Sequence, residues 1–187
     1  MDATRCLRDE HQVILKMLAC LEIAVSRARS EERVTTEEFA PLVEFFRGYA
    51  DRCHHMKEED RLFPRMEAQG VPKEGGPIGM MLYEHELGRG HVRAMADHME
   101  TANRGDTAAM ATVLEHGDAF LELLRSHILK EDNVLFNMAD ALITDADLDD
   151  LLAAYGEAET DSGYCETIDR CRGIADRLFA SYGVSAG

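Results

Sequence analysis

The chain has 187 residues, of which 45% are hydrophobic, enough for one domain with a full core. Its formal net charge of −16 argues against nucleic acid, whose phosphates need Lys and Arg clusters, and against an anionic membrane surface. No apolar run approaches a membrane span, residues 1–5 do not open a signal peptide, and five scattered Cys without a Cys-x-x-Cys pair fit a reducing, cytoplasmic compartment.

Ala, Leu, Glu, Met and Arg dominate, with no Trp and four Pro, which predicts helices rather than strands. The first helix is expected over residues 2–29, with Leu7, His11, Ile14, Leu18, Leu21 and Val25 recurring by three and four. His11 therefore sits in an apolar stripe, where an unpaired imidazole is costly. After a polar break, Thr35 or Thr36 can cap a second helix over about 37–66. Its stripe is Phe39, Val43, Phe46, Ala50, His54 and Glu58, and Pro64 is expected to disturb its last turn. Residues 69–79 hold four Gly and two Pro and read as a loop. The third helix, about 77–103, carries Ile78, Leu82, His85, Arg89, Val92, Ala96 and Met99 on one side. Gly88 and Gly90 each cost it roughly 1 kcal/mol against Ala, which points to a close helix approach or a local kink. The turn at Asn103-Arg104-Gly105-Asp106 leads into a fourth helix, about 107–139, with Met110, Val113, Gly117, Phe120, Leu124, His127, Glu131, Val134 and Met138 on its stripe. Two further helices, one acidic and ending near Tyr155, one about 164–182 with Ile168, Cys171, Ile174 and Leu178 on one side, are expected to pack across the outside or to mediate a homodimer. The fold class is all-α, with a bundle in residues 1–140 and a C-terminal helical extension in 141–187. Cys165 and Cys171 are six residues apart and do not share a helix face.

One signal occurs twice. His54-His55-Met56-Lys57-Glu58-Glu59-Asp60-Arg61-Leu62-Phe63 aligns with His127-Ile128-Leu129-Lys130-Glu131-Asp132-Asn133-Val134-Leu135-Phe136, matching the Lys, the Leu-Phe pair and a His four residues ahead of a Glu. On a helix that spacing stacks both side chains on one face. With His11 and His85, every predicted seam carries a His. His11, His54, Glu58, His85, His127 and Glu131 make a ligand set for two first-row ions, suited to iron or manganese rather than to thiolate-preferring metals. Two His per ion, two bridging carboxylates and a bridging oxo or hydroxo give five ligands each and leave one octahedral position open. His55 and Glu59 form a further His-x-x-x-Glu pair, one residue out of phase, and the repeat counts against it. His91, His98 and His116 fall off the seams and read as surface residues. Met80, Met81, Met95 and Met99 read as core filler.

The sequence resembles the hemerythrin-like, HHE cation-binding family over about residues 5–140. The resemblance rests on Glu10-His11, His54 to Glu59 with Leu62-Phe63-Pro64, Glu84-His85-Glu86, and His127 with Glu131 and Leu135-Phe136. It implies an antiparallel up-down-up-down four-helix bundle around a non-haem di-iron centre, Fe2+/Fe3+ with a bridging oxo or hydroxo, for which Mn or Zn could substitute. Oxygen carriers of the family place a second His four residues after the first on the third helix; here that residue is Arg89. The pattern is similar instead to di-iron proteins implicated in repair of iron centres after nitrosative stress, which carry a further Cys-containing N-terminal segment not seen in this sequence.

Two functions follow as expectations. In the first, the centre binds or reacts with O2, NO or peroxide in oxidative or nitrosative stress or in iron homeostasis, with a redox partner supplying electrons and with turnover left open. Tyr49 and Tyr83 are candidate donors near the ligands, and Arg89 is a candidate for an anionic species or for pairing with Glu86 or Glu58. In the second, the bundle is an iron-occupancy sensor or reservoir signalling through a partner, with the C-terminal helices as relay. A bundle that takes up Zn and no iron is a third possibility.

Overall fold

A computed structural model of the chain describes residues 3–159 and 162–184. Every regular element among them is helical. Helix α1 (Ala3–Ser30) buries Leu7, His11, Ile14, Leu18, Leu21 and Val25, the residues whose spacing set them on one stripe. Helix α2 (Thr36–Phe45) begins at Thr35, whose side chain accepts a hydrogen bond from the Glu38 N–H, with Glu37 and Glu38 in the favourable first turn.

Beyond α2 the rod does not keep α geometry. It continues as two π-helical stretches, π1 (Phe46–His55) and π2 (Glu58–Leu62), before α3 (Phe63–Ala68). The Met56 N–H bonds to the Asp51 carbonyl and the Phe63 N–H to the Glu58 carbonyl, each five residues back as π spacing requires. A π turn holds more residues than an α turn, so consecutive residues share the buried side: Phe45 with Phe46, Tyr49 with Ala50, and Cys53 with His54 and His55. Pro64 lies in the first turn of α3, where its missing N–H costs nothing. The helix therefore runs on to Ala68 rather than breaking at the proline.

Helix α4 (Pro77–Asn103) passes unbroken through Gly88 and Gly90. A Cβ at Gly88 would meet Phe120 Cε2 at 3.5 Å, ordinary van der Waals contact, so neither a kink nor a close approach accounts for this glycine. Gly105 turns the chain at φ +94°, and Asp106 caps α5 (Thr107–Lys130), accepting from the Ala109 N–H at 2.8 Å. A third π turn, π3 (Glu131–Leu135), follows and is closed by the Phe136 N–H on the Glu131 carbonyl, and α6 (Phe136–Leu142) completes this rod. The two halves of the sequence repeat thus share the π turn that begins at the Glu and ends at the Leu-Phe pair. The longer π1 has no counterpart in α5.

The chain ends in α7 (Asp145–Glu159) and α8 (Ser162–Tyr182). α7 runs through Gly156, where a break was expected. Both helices reach into the core: Leu148, Leu151 and Tyr155 cluster with Leu7, Phe63 and Phe136, and Cys171, Ile174 and Ala175 cluster with Ile14, Phe45 and Phe46. These are two distinct apolar layers. His11 falls between Leu7 of one and Ile14 of the other, His54 and Glu58 between Ala50 and Leu62, His85 between Met81 and Val92, and Glu131 between Ile128 and Leu135. The polar residues of the seams therefore form a slab with hydrocarbon on either side. Cys20 and Cys171 are free thiols; the Cys165 side chain lies outside the described residues. Among the described residues, no helix is long and apolar enough to cross a membrane.

Candidate metal centre

The six residues singled out on the seams come together. His11, His54, Glu58, His85, His127 and Glu131 are each at most 1% exposed. Their donor atoms sort into two groups. His11 Nε2 and His54 Nε2 lie 2.9 Å apart, and His85 Nε2 and His127 Nε2 lie 3.1 Å apart. Both carboxylates span the two groups. Glu58 Oε1 is 3.5 Å from His54 Nε2 while its Oε2 is 3.5 Å from His85 Nε2. Glu131 Oε2 is 3.3 Å from His11 Nε2 while its Oε1 is 3.2 Å from His127 Nε2.

The other nitrogen of each imidazole is tied down. Nδ1–H donates from His11 to Asp132 (2.8 Å), from His54 to Glu10 (2.9 Å), from His85 to Glu59 (2.6 Å) and from His127 to Glu84 (2.9 Å). A carboxylate on Nδ1 fixes the tautomer that leaves Nε2 as a bare lone pair. Two lone pairs facing each other across 2.9 Å repel unless a cation lies against both. Nitrogens bound at right angles to one ion at about 2.0–2.1 Å stand about 2.9 Å apart, which is the spacing found. The four oxygens of Glu58 and Glu131 are buried and accept no hydrogen bond, a costly state in hydrocarbon. Donor identity, spacing and orphaned oxygens all fit a metal pair.

Electrostatics lead to the same place. Burial and the facing charges of Glu131 and Glu10 drive Glu58 well above the usual carboxylate range. Glu131 is held well below it, because His127, His11 and His85 outweigh its burial. His54 is pushed down to about 4 by burial and by His11, whereas His127, despite burial, is raised to about 9 by Glu131 and Glu84. Two carboxyl groups facing each other in one dry slab cannot both ionise comfortably on imidazolium charge alone; a divalent ion would relieve that.

Around the donors lies a set of residues that the periodicity did not reveal. Glu10, besides holding His54, receives Lys57 Nζ at 2.5 Å, and Lys57 is only 1% exposed. Glu84, besides holding His127, receives Lys130 Nζ. The signal was present in the repeat: an acid immediately precedes each isolated His, in Glu10-His11 and Glu84-His85, and an acid follows each Glu that spans the two groups, in Glu58-Glu59 and Glu131-Asp132. The orienting acids are therefore exchanged between halves, Glu59 holding His85 and Asp132 holding His11.

His55 departs furthest from expectation. The repeat aligns it with Ile128 and set it aside, yet it is 7% exposed and stacks on His85 with ring centroids 3.8 Å apart. A nitrogen of His55 falls within 4.8 Å of the donors of Glu58, His85 and His127, as those of His11, His54, Glu58 and Glu131 do among themselves. The π1 geometry carries His55 to the same side as His54. Tyr155, from α7, was also missed: it is 1% exposed, its hydroxyl lacks a hydrogen-bond partner, and Lys57 Nζ lies 5.7 Å from its ring. Of the tyrosines considered from sequence, Tyr83 is 60% exposed and Tyr49 is stacked on Phe45 in the core. Arg89 pairs with Glu86 as anticipated, and also with Asp51 and Glu59, so it braces the carboxylate that orients His85. His91 and His116 are half-buried and face each other at 2.9 Å, whereas His98 is exposed.

An all-helical chain with this buried His and Glu cluster has the makings of a cation-binding protein, and comparison with known sequences gives its kin. Residues 2–139 match the Hemerythrin HHE cation binding domain; the chain belongs to that family. It is also similar, at 19% identity over 176 residues, to Uncharacterized protein Mb2018 of Mycobacterium bovis and to Uncharacterized proteins MT2051 and Rv1995 of Mycobacterium tuberculosis. Each match covers 92% of this chain and 68% of the relative. No solved structure matches.

Proposed function

We propose that the helical rods form an antiparallel up-down-up-down bundle over residues 1–140, with 141–187 as an extension, and that the bundle holds two iron ions. His11 and His54 would hold one ion, His85 and His127 the other, with Glu58 and Glu131 bridging. The observation that carries this is the pair of Nε2–Nε2 spacings of 2.9 and 3.1 Å with every Nδ1 tied to a carboxylate. Imidazole and carboxylate donors favour iron or manganese over softer ions. When bound, such a pair supplies Lewis acidity and one-electron redox chemistry toward O2, NO or peroxide.

The protein's own residues set the terms. Glu10, Glu59, Glu84 and Asp132 keep each imidazole in one tautomer. The apolar layers exclude bulk water, so that only small uncharged molecules enter readily. His55 crowds the His85 side, which leaves the His11 and His54 side as the more open position for a diatomic or peroxide. The compartment we propose is the cytoplasm.

Iron content per chain, with the visible spectrum before and after anaerobic reduction and re-exposure to O2 or NO, tests this. About two irons and charge-transfer bands that change on exposure are the expected outcome. Zinc, or no metal after anaerobic ferrous loading, would overturn it. The alternative of an occupancy sensor gains support from Tyr155, which brings α7 against the slab. Under that alternative, removal of residues 141–187 abolishes an iron-dependent change in self-association or partner binding.

A further inference from the structure

Beside the cluster lies a cavity of about 320 Å3, within the usual size range of small-molecule sites. Phe46, Val92, Phe120 and Leu124 form its apolar wall, and the Phe46 and Phe120 rings meet edge to face at 4.9 Å. Four arginines line it, Arg47, Arg52, Arg89 and Arg93, against one carboxylate, Asp51. Arg89 is engaged by Asp51, Glu59 and Glu86. Arg47, Arg52 and Arg93 have no ion-pair partner among the described residues. Three unpaired arginines around one opening are unexpected in a chain with a net charge of −16, where acids to pair with them abound.

His55 also lines the cavity. It is 7% exposed, and its Nδ1 makes no hydrogen bond, the nearest carboxylate oxygen being Asp51 Oδ1 at 3.5 Å. A buried ring nitrogen without a partner is a cost that a ligand could remove. Apolar aromatic walls, a cationic rim and a buried hydrogen-bonding group among the lining residues are complementary to one kind of molecule.

We propose that this cavity binds a small organic anion, a carboxylate with an apolar, preferably aromatic, body. The rings of Phe46 and Phe120 take the body, and the carboxylate lies between the arginines and His55 and accepts from both. Because His55 stacks on His85, the occupant lies one imidazole away from the metal cluster without touching it. None of the six proposed ligands lines the cavity, so binding is expected with and without metal.

The probe is 2-naphthoate, titrated calorimetrically into the full chain as purified and again after chelator treatment. Saturable one-to-one binding is expected in both, at least tenfold tighter than for the neutral 2-naphthalenemethanol. Arg47→Glu with Arg93→Glu, both exposed and outside the cluster, should weaken it at least tenfold while leaving helicity and metal content unchanged. Imidazole 15N spectra of the chelator-treated protein should show the His55 ring shifting on saturation. No saturable binding, equal affinity for the alcohol, displacement by acetate or inorganic phosphate at equal concentration, or indifference to the arginine substitutions would each overturn the proposal. Binding seen only in the metal-loaded protein would overturn it too, since the anion would then be a ligand of the ion.

Discussion

At the scale of single residues, the acids that hold the imidazoles matter as much as the imidazoles. Glu10 and Glu84 each fix one His and neutralise one Lys. Replacing either by Ala should lower metal affinity about 10- to 100-fold without changing the number of ions bound, as read by competition with a coloured chelator. Glu86→Ala, at an exposed acid that touches no imidazole, is the control and should leave affinity within a factor of about two. Tyr155 offers a different check. Its hydroxyl has no partner, so Tyr155→Phe should leave the metal-free protein as stable or more stable in urea, since an unsatisfied buried group is removed. A loss confined to the metal-loaded protein would show instead that the hydroxyl contacts the cluster. Tyr155→Ala, which also removes the ring, should cost about 3–5 kcal/mol in either state.

At the scale of elements, close packing sets which glycines can change. A Cβ at Gly117 would stand 2.8 Å from Val25 Cγ2, whereas Gly90 has open space around it. Gly117→Ala should therefore destabilise the fold by about 1–3 kcal/mol, and Gly90→Ala should stabilise it by about 0.5–1 kcal/mol through helix propensity, both read from urea midpoints. The same scale shows where sequence reasoning reached its limit. Period-3.6 stripes located His11, His85 and His127, which lie in the regular α-helices α1, α4 and α5, and also His54, Glu58 and Glu131, which lie near the ends of the π stretches. They failed at His55, which lies in π1, where the turn holds more residues and the face rotates. The trace of that geometry was in the doublets Phe45-Phe46, Tyr49-Ala50 and His54-His55, each buried as a pair and separated by four or five residues. Tyr155 could not be found by any local pattern, since it reaches the slab only through the packing of α7 on distant elements.

At the scale of the whole molecule, the fold encloses a slab of charge that it cannot solvate. Glu58 and Glu131 are 0% exposed with orphaned oxygens, so the metal-free chain carries a penalty that loading removes. An ion at about a thousandfold above its Kd stabilises the folded state by about 4 kcal/mol. For a chain of this length that corresponds to a rise in Tm of about 8–16 °C. Calorimetric scans before and after chelation should show a fall of that size, and an unchanged Tm would mean that the cluster is not a metal site.

The hydrocarbon on both faces of that slab has a consequence for time rather than for affinity. None of the six cluster ligands is more than 1% exposed, so a chelator has no purchase on an ion while the helices stay packed. Release must wait for a local opening of the rods, an event whose rate belongs to the protein. Once the chelator is in excess, adding more should not hasten the loss of metal, while a few degrees of warming or a little urea should. Metal exchange in this protein is then a clock set by breathing of the core.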